Sequence, residues 1–383
     1  MGIDKVKTVT VVGAGDMGHG IAEVALIAGY RVNLQDIKQE FVDKGTQRIF
    51  ESLEKLVSKG KVTSDQLALI TSELLTPYLD LEKAVADADL VIEAIPEIMD
   101  LKKTTFERID KAAPDHTIIA SNTSTMKITD IAKVTSRQDR VLGLHYFNPA
   151  ILMNLVEVIR AEGTSEDTMQ TGYDFVLKNG KVPVRVEKDI PGFIVNRAQA
   201  PSAVLLNCYL DHQVAEPEEV DATMKALGMP MGPYELLDYT GLDINYYASL
   251  YFADAIHPDF ACGPTLEAKV KAGELGKKTG KGLFDWSNGR PSIDPEKTTD
   301  RFDPMDLMAV NINEATKIVE MGVCKLEDID VAITNATGNK LGLIVVARNI
   351  EPKDLVERLE RLANTFNKEI FKPTDMIRNG SYR

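Results

Sequence analysis

Residues 6–24 read VKTVTVVGAGDMGHGIAEV, a β-branched run that leads into a G-x-G-x-x-G loop and then into a helical pattern. In this context Gly13 permits a tight turn, Gly15 lets the backbone approach a pyrophosphate, and Gly18 allows close contact between helix and strand. The N–H groups at the start of the helix bind an anion without needing a lysine. The stretch predicts a Rossmann-type α/β domain, with a doubly wound sheet, that binds a dinucleotide. The predicted contacts are Gly13, Ala14, Gly15, Asp16, Met17 and Gly18.

One carboxylate bears on the choice between two dinucleotides. Asp36 stands at the end of the second predicted strand, 18 residues beyond Gly18. A carboxylate there accepts hydrogen bonds from the ribose hydroxyls and repels a 2′-phosphate, so NAD is favoured over NADP as the cofactor. Lys38 lies close in sequence and would soften that repulsion, so the strictness of the preference stays open. A glycine-rich turn beside a surface aspartate is the plain alternative for this pattern.

Short β-branched runs alternate with helical patterns from residue 6 to residue 190, which is typical of a parallel sheet wrapped by helices. The predicted strands are Val6–Val12, Arg31–Gln35, Leu74–Tyr78, Leu90–Ala94, Thr117–Ala120, Arg140–Tyr146, Met153–Ile159 and Val182–Val186. After Pro191-Gly192 the alternation gives way to helical periodicity punctuated by proline and glycine. We therefore predict an α/β domain over residues 1–190 and helical domains over residues 191–290 and 291–383.

The composition excludes several classes of function. The 383 residues carry a formal net charge of −14 and no long basic run, which argues against nucleic acid and anionic membranes as partners. The three cysteines form no C-x-x-C pair, so we expect neither disulfides nor a zinc site. No apolar run approaches the roughly 18 residues of a membrane span, and a strand predicted from Val6 leaves no room for a targeting segment. We expect a soluble, cytoplasmic protein with a small-molecule substrate.

A second group of polar residues follows the later strands. Ser121–Ser124 and His145–Pro149 lie at or just beyond the carboxyl ends of predicted strands, where open α/β sheets bind ligands. Glu157 stands in the apolar strand LVEVI, where an unpaired charge is costly. A carboxylate bonded to the His145 imidazole would fix its tautomer and raise its basicity, which suits the removal of an alcohol proton. The alternative is a satisfied core histidine beside a strand-edge carboxylate.

The four other histidines are weaker candidates for a base. His19 falls within the first helix, and His116, His212 and His257 lie in polar segments without an evident partner. No pattern of metal ligands is visible, so we expect no metal.

Together these segments resemble the short-chain L-3-hydroxyacyl-coenzyme A (CoA) dehydrogenase family, which includes 3-hydroxybutyryl-CoA dehydrogenases. The resemblance covers residues 6–290, with segments in the family's order: Gly13–Gly18, Glu93–Glu97, Ser121–Ser124, His145–Pro149, Pro191–Arg197, Pro230–Pro233 and Gly276–Trp286. It implies a Rossmann-type sheet followed by an all-α domain like that of 6-phosphogluconate dehydrogenase. It also implies NAD-dependent oxidation of an (S)-3-hydroxyacyl-CoA, such as 3-hydroxybutyryl-CoA, to the 3-ketoacyl-CoA.

The resemblance further implies a role for each matching residue. His145 is similar to the family's general base and Glu157 to the carboxylate that orients it. Ser124 matches the serine that bonds the substrate oxygen, and Asn196 the asparagine that steadies the substrate carbonyls. Positions that line the nicotinamide and ribose are matched by Ala94, Glu97, Lys102 and Asn148, and coenzyme A contacts by Ser52 and Lys59. The register of Lys59 stays open because two further lysines flank it.

Residues 291–383 are a departure from a plain family member. Within them Asp328–Ala332 precedes Gly338–Gly342, as Glu219–Ala222 precedes Gly228–Pro233, which indicates a degenerate repeat of the helical domain. Larger relatives, including multifunctional fatty-acid oxidation enzymes, carry two such domains in tandem. Simple members dimerise through this domain, so a tandem copy would pair within one chain. We therefore predict a monomer with an internal pseudo-dimer, or a homodimer built through other surfaces.

Two other functions stay open on the sequence alone. A β-hydroxyacid dehydrogenase that acts on a free acid would normally use a lysine base, and the pairing of His145 with Glu157 speaks against it. A non-catalytic NAD(H)-binding protein on the same fold would not need the set Ser124, His145, Glu157 and Asn196. An assay with acetoacetyl-CoA and NADH separates these functions from the predicted one.

Overall fold

The computed structural model describes residues 2–383 and contains all eight predicted strands. They are β1 (Thr8–Val12), β2 (Arg31–Gln35), β3 (Leu75–Tyr78), β4 (Leu90–Glu93), β5 (Ile118–Ser121), β6 (Val141–Tyr146), β7 (Leu155–Arg160) and β8 (Val182–Val186). β2 and β8 have their predicted bounds, and the others differ by one or two residues at an end.

The strands form a sheet in the order β3-β2-β1-β4-β5-β6-β7-β8. Neighbours from β3 to β6 are parallel, β7 runs antiparallel to β6, and β8 runs parallel to β7. The chain order reverses between β1 and β4, which is where doubly wound sheets bind ligands beyond the carboxyl ends of the strands. The predicted fold class is confirmed.

The helices complete the fold. In chain order they are α1 (Gly18–Ile27), α2 (Gln39–Ser58), α3 (Ser64–Leu69), α4 (Leu81–Val85), α5 (Met99–Ala112), α6 (Ile128–Ala132), α7 (Glu166–Lys178), α8 (Val195–Asp211), α9 (Pro217–Ala226), α10 (Pro233–Thr240), α11 (Leu242–Ala255), α12 (Pro264–Lys271), α13 (Pro304–Glu320), α14 (Leu326–Thr337), α15 (Leu343–Ala347), α16 (Pro352–Phe366) and α17 (Asp375–Asn379).

Helices cover the sheet, so its central strands are buried on both faces. Every residue of β1 and of β4 is buried. β-Branched and aliphatic side chains fill these positions because they pack well on a pleated surface. Gly45 of α2 lies against the glycine loop, where a Cβ would come within 2.8 Å of the Ala14 carbonyl oxygen. Helix α2 therefore packs directly on the predicted dinucleotide loop.

The chain forms two compact units. The first contains the sheet and comprises the residues up to Val195 together with Gly322–Gly342. The second is helical and comprises Asn196–Met321 and Leu343–Arg383. This grouping differs from the three predicted domains, because the two predicted helical domains form one unit and Gly322–Gly342 groups with the sheet. The three-domain division stays a prediction about how the sequence is organised.

In the second unit, helices from both halves of the predicted repeat pack together. Three hydrogen bonds join α8 to α13: Arg197 Nε to Glu314 Oε1 at 2.5 Å, Ser202 N to Asn311 Oδ1 at 3.2 Å, and Tyr209 Oη to Asp306 Oδ2 at 3.0 Å. The residue numbers rise on α8 as they fall on α13, so the two helices are antiparallel.

The repeat also leaves a local mark in the backbone. A Cβ at Gly232 would lie 2.2 Å from the Asp221 carboxyl carbon, and a Cβ at Gly342 would lie 2.1 Å from Asp330 Oδ1. Only glycine fits beside either carboxylate, so the same close turn recurs in both copies.

Within residues 2–383, no helix combines the length and the apolarity needed to cross a membrane. The cysteines are free thiols, of which Cys208 and Cys324 are buried and Cys262 is half-buried.

Candidate active site

A cavity of about 510 Å³ opens at the carboxyl ends of β1, β2 and β4. Gly13, with φ +101°, lines it, and a Cβ there would lie 2.6 Å from the Ala94 carbonyl oxygen. A Cβ at Gly18 would lie 1.7 Å from the Gly13 carbonyl oxygen, so neither glycine is replaceable without moving backbone. Gly15 lines the cavity and borders open space, which leaves its backbone accessible to a ligand.

Most of the predicted loop contacts border this cavity. Gly13, Ala14, Gly15 and Asp16 line it, as does the predicted nicotinamide neighbour Ala94. Met17 and Gly18 form the start of helix α1. The predicted anion site at this helix therefore faces a cavity large enough for part of a dinucleotide.

Asp36 lies at the wall of the cavity, directly after β2. Its Oδ2 accepts a hydrogen bond from the Ala14 N–H at 2.8 Å, and its Oδ1 accepts one from the Ile37 N–H at 2.7 Å. Each carboxylate oxygen has a further lone pair for another donor. This placement fits a carboxylate that accepts ribose hydroxyls and repels a 2′-phosphate.

Several cavity residues were not predicted from the sequence. Lys44 and Arg48 line the cavity from α2, and Arg108 lines it from α5. Arg48 Nη1 lies 2.5 Å from Asp16 Oδ1, although the Asp16 side chain is 79% exposed. Arg108 is likewise paired with Glu82, at 2.9 and 3.0 Å, so Lys44 and the two arginines supply cations that a diphosphate would share with these carboxylates. The helical charge pattern over residues 38–61 was visible, but only the packing of Gly45 fixes which face of α2 turns to the cavity.

Apolar side chains line the rest of the cavity: Ile37, Phe41, Leu81 and Leu101. The cavity therefore combines a turn that requires glycine at two positions, the Asp36 carboxylate, three cationic side chains and an apolar wall. This combination fits NAD. When bound, NAD would lie against these groups and accept a hydride from the substrate.

The predicted pair of His145 and Glu157 is present. β6 and β7 are antiparallel, and their register places His145 directly opposite Glu157. His145 Nδ1 lies 2.6 Å from Glu157 Oε2. His145 is 5% exposed and Glu157 is fully buried, so the hydrogen bond is shielded from water. The contact is confirmed, while its role in catalysis stays a prediction.

The segment Pro191–Val195 completes the surroundings of Glu157. Its Oε1 accepts hydrogen bonds from the Ile194 N–H at 3.0 Å and from the Val195 N–H at 2.9 Å. Phe193, which directly precedes Ile194, has φ +53°, an uncommon conformation for a bulky residue. The turn points two successive N–H groups at one carboxylate oxygen. These backbone donors were not predicted, because backbone groups leave no signal in side-chain identity.

Two aromatic rings flank the imidazole. Phe147 lies 4.4 Å and Phe193 5.7 Å from the His145 ring, centroid to centroid. The imidazole is therefore held by packing as well as by Glu157, with its Nε2 atom at the other end of the ring from that bond.

A second buried ionic cluster lies beside the cavity, around Lys102. Its Nζ lies 2.6 Å from Glu93 Oε1, 3.2 Å from Glu97 Oε2 and 3.3 Å from the Ile95 carbonyl oxygen. An ammonium has three N–H groups, and three acceptors surround this one. Lys102, 1% exposed, therefore directs its charge to the protein itself. The sequence prediction had placed it among the cofactor contacts.

The same cluster joins the loops after β4 and β5. Ser121 Oγ donates to Glu93 Oε2 at 2.6 Å, and the Thr123 hydroxyl donates to Glu97 Oε1. The Ser124 N–H also donates to that oxygen, at 3.1 Å. Burial would raise the pKa of Glu97, but Lys102, Thr123 and Ser124 together hold it below its ordinary value. Glu97 is therefore a fixed carboxylate that anchors the backbone of Ser124.

Glu93 was missed as a site residue. Like Glu157 it is a carboxylate in an apolar strand, LVIE, and is fully buried. That feature was a usable signal, because a charge in such a strand needs a partner. Asn122, part of the predicted polar segment Ser121–Ser124, accepts a hydrogen bond from the Tyr146 N–H at 2.8 Å and so ties its loop to the strand of His145.

The other predicted site residues are spread along the fold. Asn148 precedes Pro149 through a cis peptide bond, three residues after His145. Ser52 is half-buried on α2, and Lys59 is exposed directly after that helix. Asn196 is the second residue of α8 and belongs to the helical unit. Its neighbour Arg197 is buried.

The weaker histidine candidates have local partners. His19 Nδ1 lies 2.7 Å from the Gly15 carbonyl oxygen, and His116 Nε2 lies 2.9 Å from Asp89 Oδ1. His212 packs against the Phe366 ring, and His257 accepts a hydrogen bond from the Asp259 N–H. These contacts are local and structural, which agrees with the prediction that the four histidines are weaker candidates for the general base.

Two family models match the chain. Residues 8–190 match the NAD binding domain of 3-hydroxyacyl-CoA dehydrogenase, and residues 192–286 match the C-terminal domain of the same enzyme. The two matched ranges account for most of the chain. They leave residues after 286 outside either model.

Individual proteins extend the similarity. Mitochondrial hydroxyacyl-coenzyme A dehydrogenase of Rattus norvegicus is 42% identical over 288 residues, which cover 73% of this chain and 91% of the rat protein. A probable 3-hydroxybutyryl-CoA dehydrogenase of Bacillus subtilis is 40% identical over 289 residues, covering 74% of this chain and 98% of that protein. The crystal structure of 3-hydroxybutyryl-CoA dehydrogenase from Escherichia coli K12 has a TM-score of 0.89 at 29% identity and covers 98% of both chains.

These matches agree with the geometry of the cavity and of the buried pair. They make the chain an oxidoreductase that uses NAD and acts on 3-hydroxyacyl-CoA. The chain belongs to the 3-hydroxyacyl-CoA dehydrogenase family.

Proposed function

We propose that the chain oxidises short (S)-3-hydroxyacyl-CoA thioesters, 3-hydroxybutyryl-CoA above all, to the 3-ketoacyl-CoA with His145 as the general base. The observation that carries the proposal is the buried hydrogen bond between His145 and Glu157. A free-acid dehydrogenase with a lysine base has less support, because Lys102 is enclosed by acceptors. A non-catalytic binder has less support too, because it would not need a carboxylate held against an imidazole.

The proposed chemistry follows from the two nitrogens of one ring. Glu157 accepts the Nδ1–H, which leaves Nε2 without a proton and able to accept one from the substrate 3-hydroxyl. As the proton arrives, the imidazole gains a positive charge that Glu157 stabilises across the same hydrogen bond. Ile194 and Val195 donate to Glu157 through both states and keep it from turning away. Burial strengthens each of these interactions.

We assign the remaining predicted residues to positioning the reactants. Ser124 would bond the substrate oxygen, and its backbone is anchored by Glu97. Asn196 would steady the substrate carbonyls. Ala94, Glu97 and Asn148 would border the nicotinamide and ribose, and Lys102 would act there by holding Glu97 and Glu93 in place. Ser52 and Lys59 of the α2 region would contact coenzyme A.

We also propose that the chain is a monomer with an internal pseudo-dimer. Ser202 and Asn311, which bond to each other, stand 109 positions apart, as do the repeat aspartates Asp221 and Asp330. A bond between equivalent residues marks an approximate twofold axis between α8 and α13. The predicted domain division 1–190, 191–290 and 291–383 is part of the same proposal.

The charged residues on these helices fit the packing of α8 on α13 within one chain, and not the packing of α8 on α8 of a second copy. By the same spacing the equivalent of Glu314 is Leu205, and the equivalent of Arg197 is Asp306. Two copies of α8 packed symmetrically would set the buried Arg197 against Leu205 and leave its charge unpaired, which is costly. Light scattering on the full chain is the test: a monomer supports the proposal, and a dimer contradicts it.

Turnover measurements test the proposed reaction. We expect acetoacetyl-CoA to be reduced with NADH, and kcat/KM to fall as the acyl chain grows from four carbons. Acetoacetate without coenzyme A should not react. Turnover of the free acid would favour the lysine-base class, and NADH binding without turnover of any thioester would favour the non-catalytic class. A cytoplasmic location is part of the same proposal and is tested by cell fractionation.

A further inference from the structure

The strand that carries Glu157 is covered by helices on both faces. Val156 and Val158 belong to the core that α1 and α7 form with the sheet. Side chains alternate along a strand, so Glu157 points to the opposite face. Helix α14 contacts both β7 and β8. Its buried residues Ile329, Ala332, Ile333 and Ala336 are separate from the first core, so α14 lies on the Glu157 face.

The segment that contains α14 is fixed to the edge of the sheet. The Val323 carbonyl accepts a hydrogen bond from the Glu187 N–H, directly after β8, at 2.7 Å. Gly322–Gly342 groups with the sheet and not with the helical unit on either side of it in sequence. A piece of the C-terminal extension is thus built into the unit that holds the catalytic pair.

Cys324 is a residue of this segment that lies close enough to Glu157 for the carboxylate charge to act on its thiol. Its side chain is buried and lines a cavity of about 440 Å³ together with Val184. Val184 is the β8 residue paired in register with Glu157, so the two share one face of the sheet. Burial raises the pKa of the Cys324 thiol, and the negative charges of Asp328, Glu157 and Glu327 raise it further. The thiol is therefore neutral within the electrostatic range of Glu157, which in turn bonds to His145 on β6.

We propose that the segment Gly322–Gly342 is a positioning element for the catalytic pair, with Cys324 closing the side of Glu157 that faces away from the imidazole. The inference rests on the proposed function, since it concerns the proposed base. Glu157 already accepts from His145, Ile194 and Val195. A thiol is small and a weak donor, so it excludes water without competing for these lone pairs. The C-terminal extension then helps to position the catalytic pair, in addition to its proposed role in the internal pseudo-dimer.

The first experiment replaces Cys324→Ser in the full chain. A hydroxyl is a stronger donor than a thiol, so it draws the carboxylate from the imidazole. We expect kcat to fall roughly three- to ten-fold and the acidic limb of the kcat/KM profile to move to lower pH, with the Kd of NADH unchanged. Cys208→Ser, a buried thiol replaced on α8, is the matched control and should leave the profile in place. An unmoved profile in Cys324→Ser, with kcat equal to that of the control, overturns the inference.

A second pair of variants guards against a folding defect. Ile329→Val on α14 and Ile312→Val on α13 each remove one methylene from a fully buried isoleucine. We expect a similar fall in Tm for both, but a loss of kcat only for Ile329→Val. Equal kcat in the two variants contradicts the inference. If the unaltered chain turns over thioesters while these results fail, the proposed function stands without the inference; if it turns over none, the proposed function itself fails.

Discussion

His145 Nδ1 lies 2.6 Å from Glu157 Oε2 across a pair of antiparallel strands, with both side chains buried. Neither residue is free to change partner, because Glu157 is held by two backbone N–H groups and His145 by two aromatic rings. The pair is therefore preorganised, and the following predictions start from it.

Replacement of the base should abolish most turnover. For His145→Gln we expect kcat to fall by roughly 10²- to 10⁴-fold, the range that general bases usually contribute. The glutamine retains a hydrogen bond to Glu157 and fills similar space, so the Kd of NADH should hold. Steady-state kinetics with acetoacetyl-CoA, together with NADH fluorescence titration, measure both. Near-normal kcat would remove His145 from the mechanism.

Replacement of the orienting carboxylate should change the pH profile as well as the rate. Glu157→Gln keeps an oxygen for Ile194 and Val195 but removes the negative charge that supports a protonated imidazole. We expect a loss of about 10- to 100-fold in kcat, and an acidic limb of the kcat/KM profile that moves to lower pH. A profile with unmoved limbs would show that the pair is structural only.

The cofactor preference should depend on Asp36. Asp36→Ser removes the charge that opposes a 2′-phosphate but keeps an acceptor for the Ala14 N–H. We expect the ratio of kcat/KM with NAD to that with NADP to fall about ten-fold or more, which corresponds to about 1.4 kcal/mol. The measurement is a pair of initial-rate series at one substrate concentration. An unchanged ratio would refute a role of Asp36 in discrimination.

The ammonium of Lys102 should be needed mainly for stability. Lys102→Met leaves Glu93 and Glu97 without their cation, and breaking a buried pair costs about 3–5 kcal/mol. Lys133→Met, which breaks an exposed pair with Asp130, is the control and should change the free energy of unfolding far less. Chemical denaturation measures both. Equal losses in the two variants would contradict the predicted role of the buried cluster.

Glu23, a buried carboxyl group on α1, should make the free energy of unfolding decrease as the pH rises. Burial raises the pKa of Glu23 from 4.5 to about 7, against the opposing effects of Ser52 and Lys181. The folded state therefore binds the proton more tightly than the unfolded state, and stability is lost as pH rises from 4.5 towards 7. A shift of this size corresponds to about 3 kcal/mol.

Glu23→Gln removes that dependence. We expect its Tm to match the unaltered chain near pH 4.5 and to exceed it by several degrees at pH 8. Glu54→Gln, an exposed residue on α2, serves as the control and should change Tm equally little at both values. A constant difference between Glu23→Gln and the unaltered chain across the range would contradict the prediction.

The sequence alone determined the sheet, the glycine loop, Asp36 and the candidate pair. β-Branched runs and the G-x-G-x-x-G spacing are local signals, and a charged residue such as Glu157 in an apolar strand demands a partner wherever the chain takes it. The repeat was readable for the same reason, since the order of Asp221 and Gly232 recurs at Asp330 and Gly342 with one extra residue between them.

Which groups come into contact depends on how distant segments pack. Packing between segments far apart in sequence brings the backbone donors of Ile194 and Val195 to Glu157. It also places the cations of α2 at the cavity and surrounds the Lys102 ammonium with three acceptors. The clearest case is the segment Gly322–Gly342, which belongs to the helical repeat in sequence but groups with the sheet in the structure. Its own pattern predicts a helix, but only the fold shows that this helix contacts β7 and β8 and groups with the sheet.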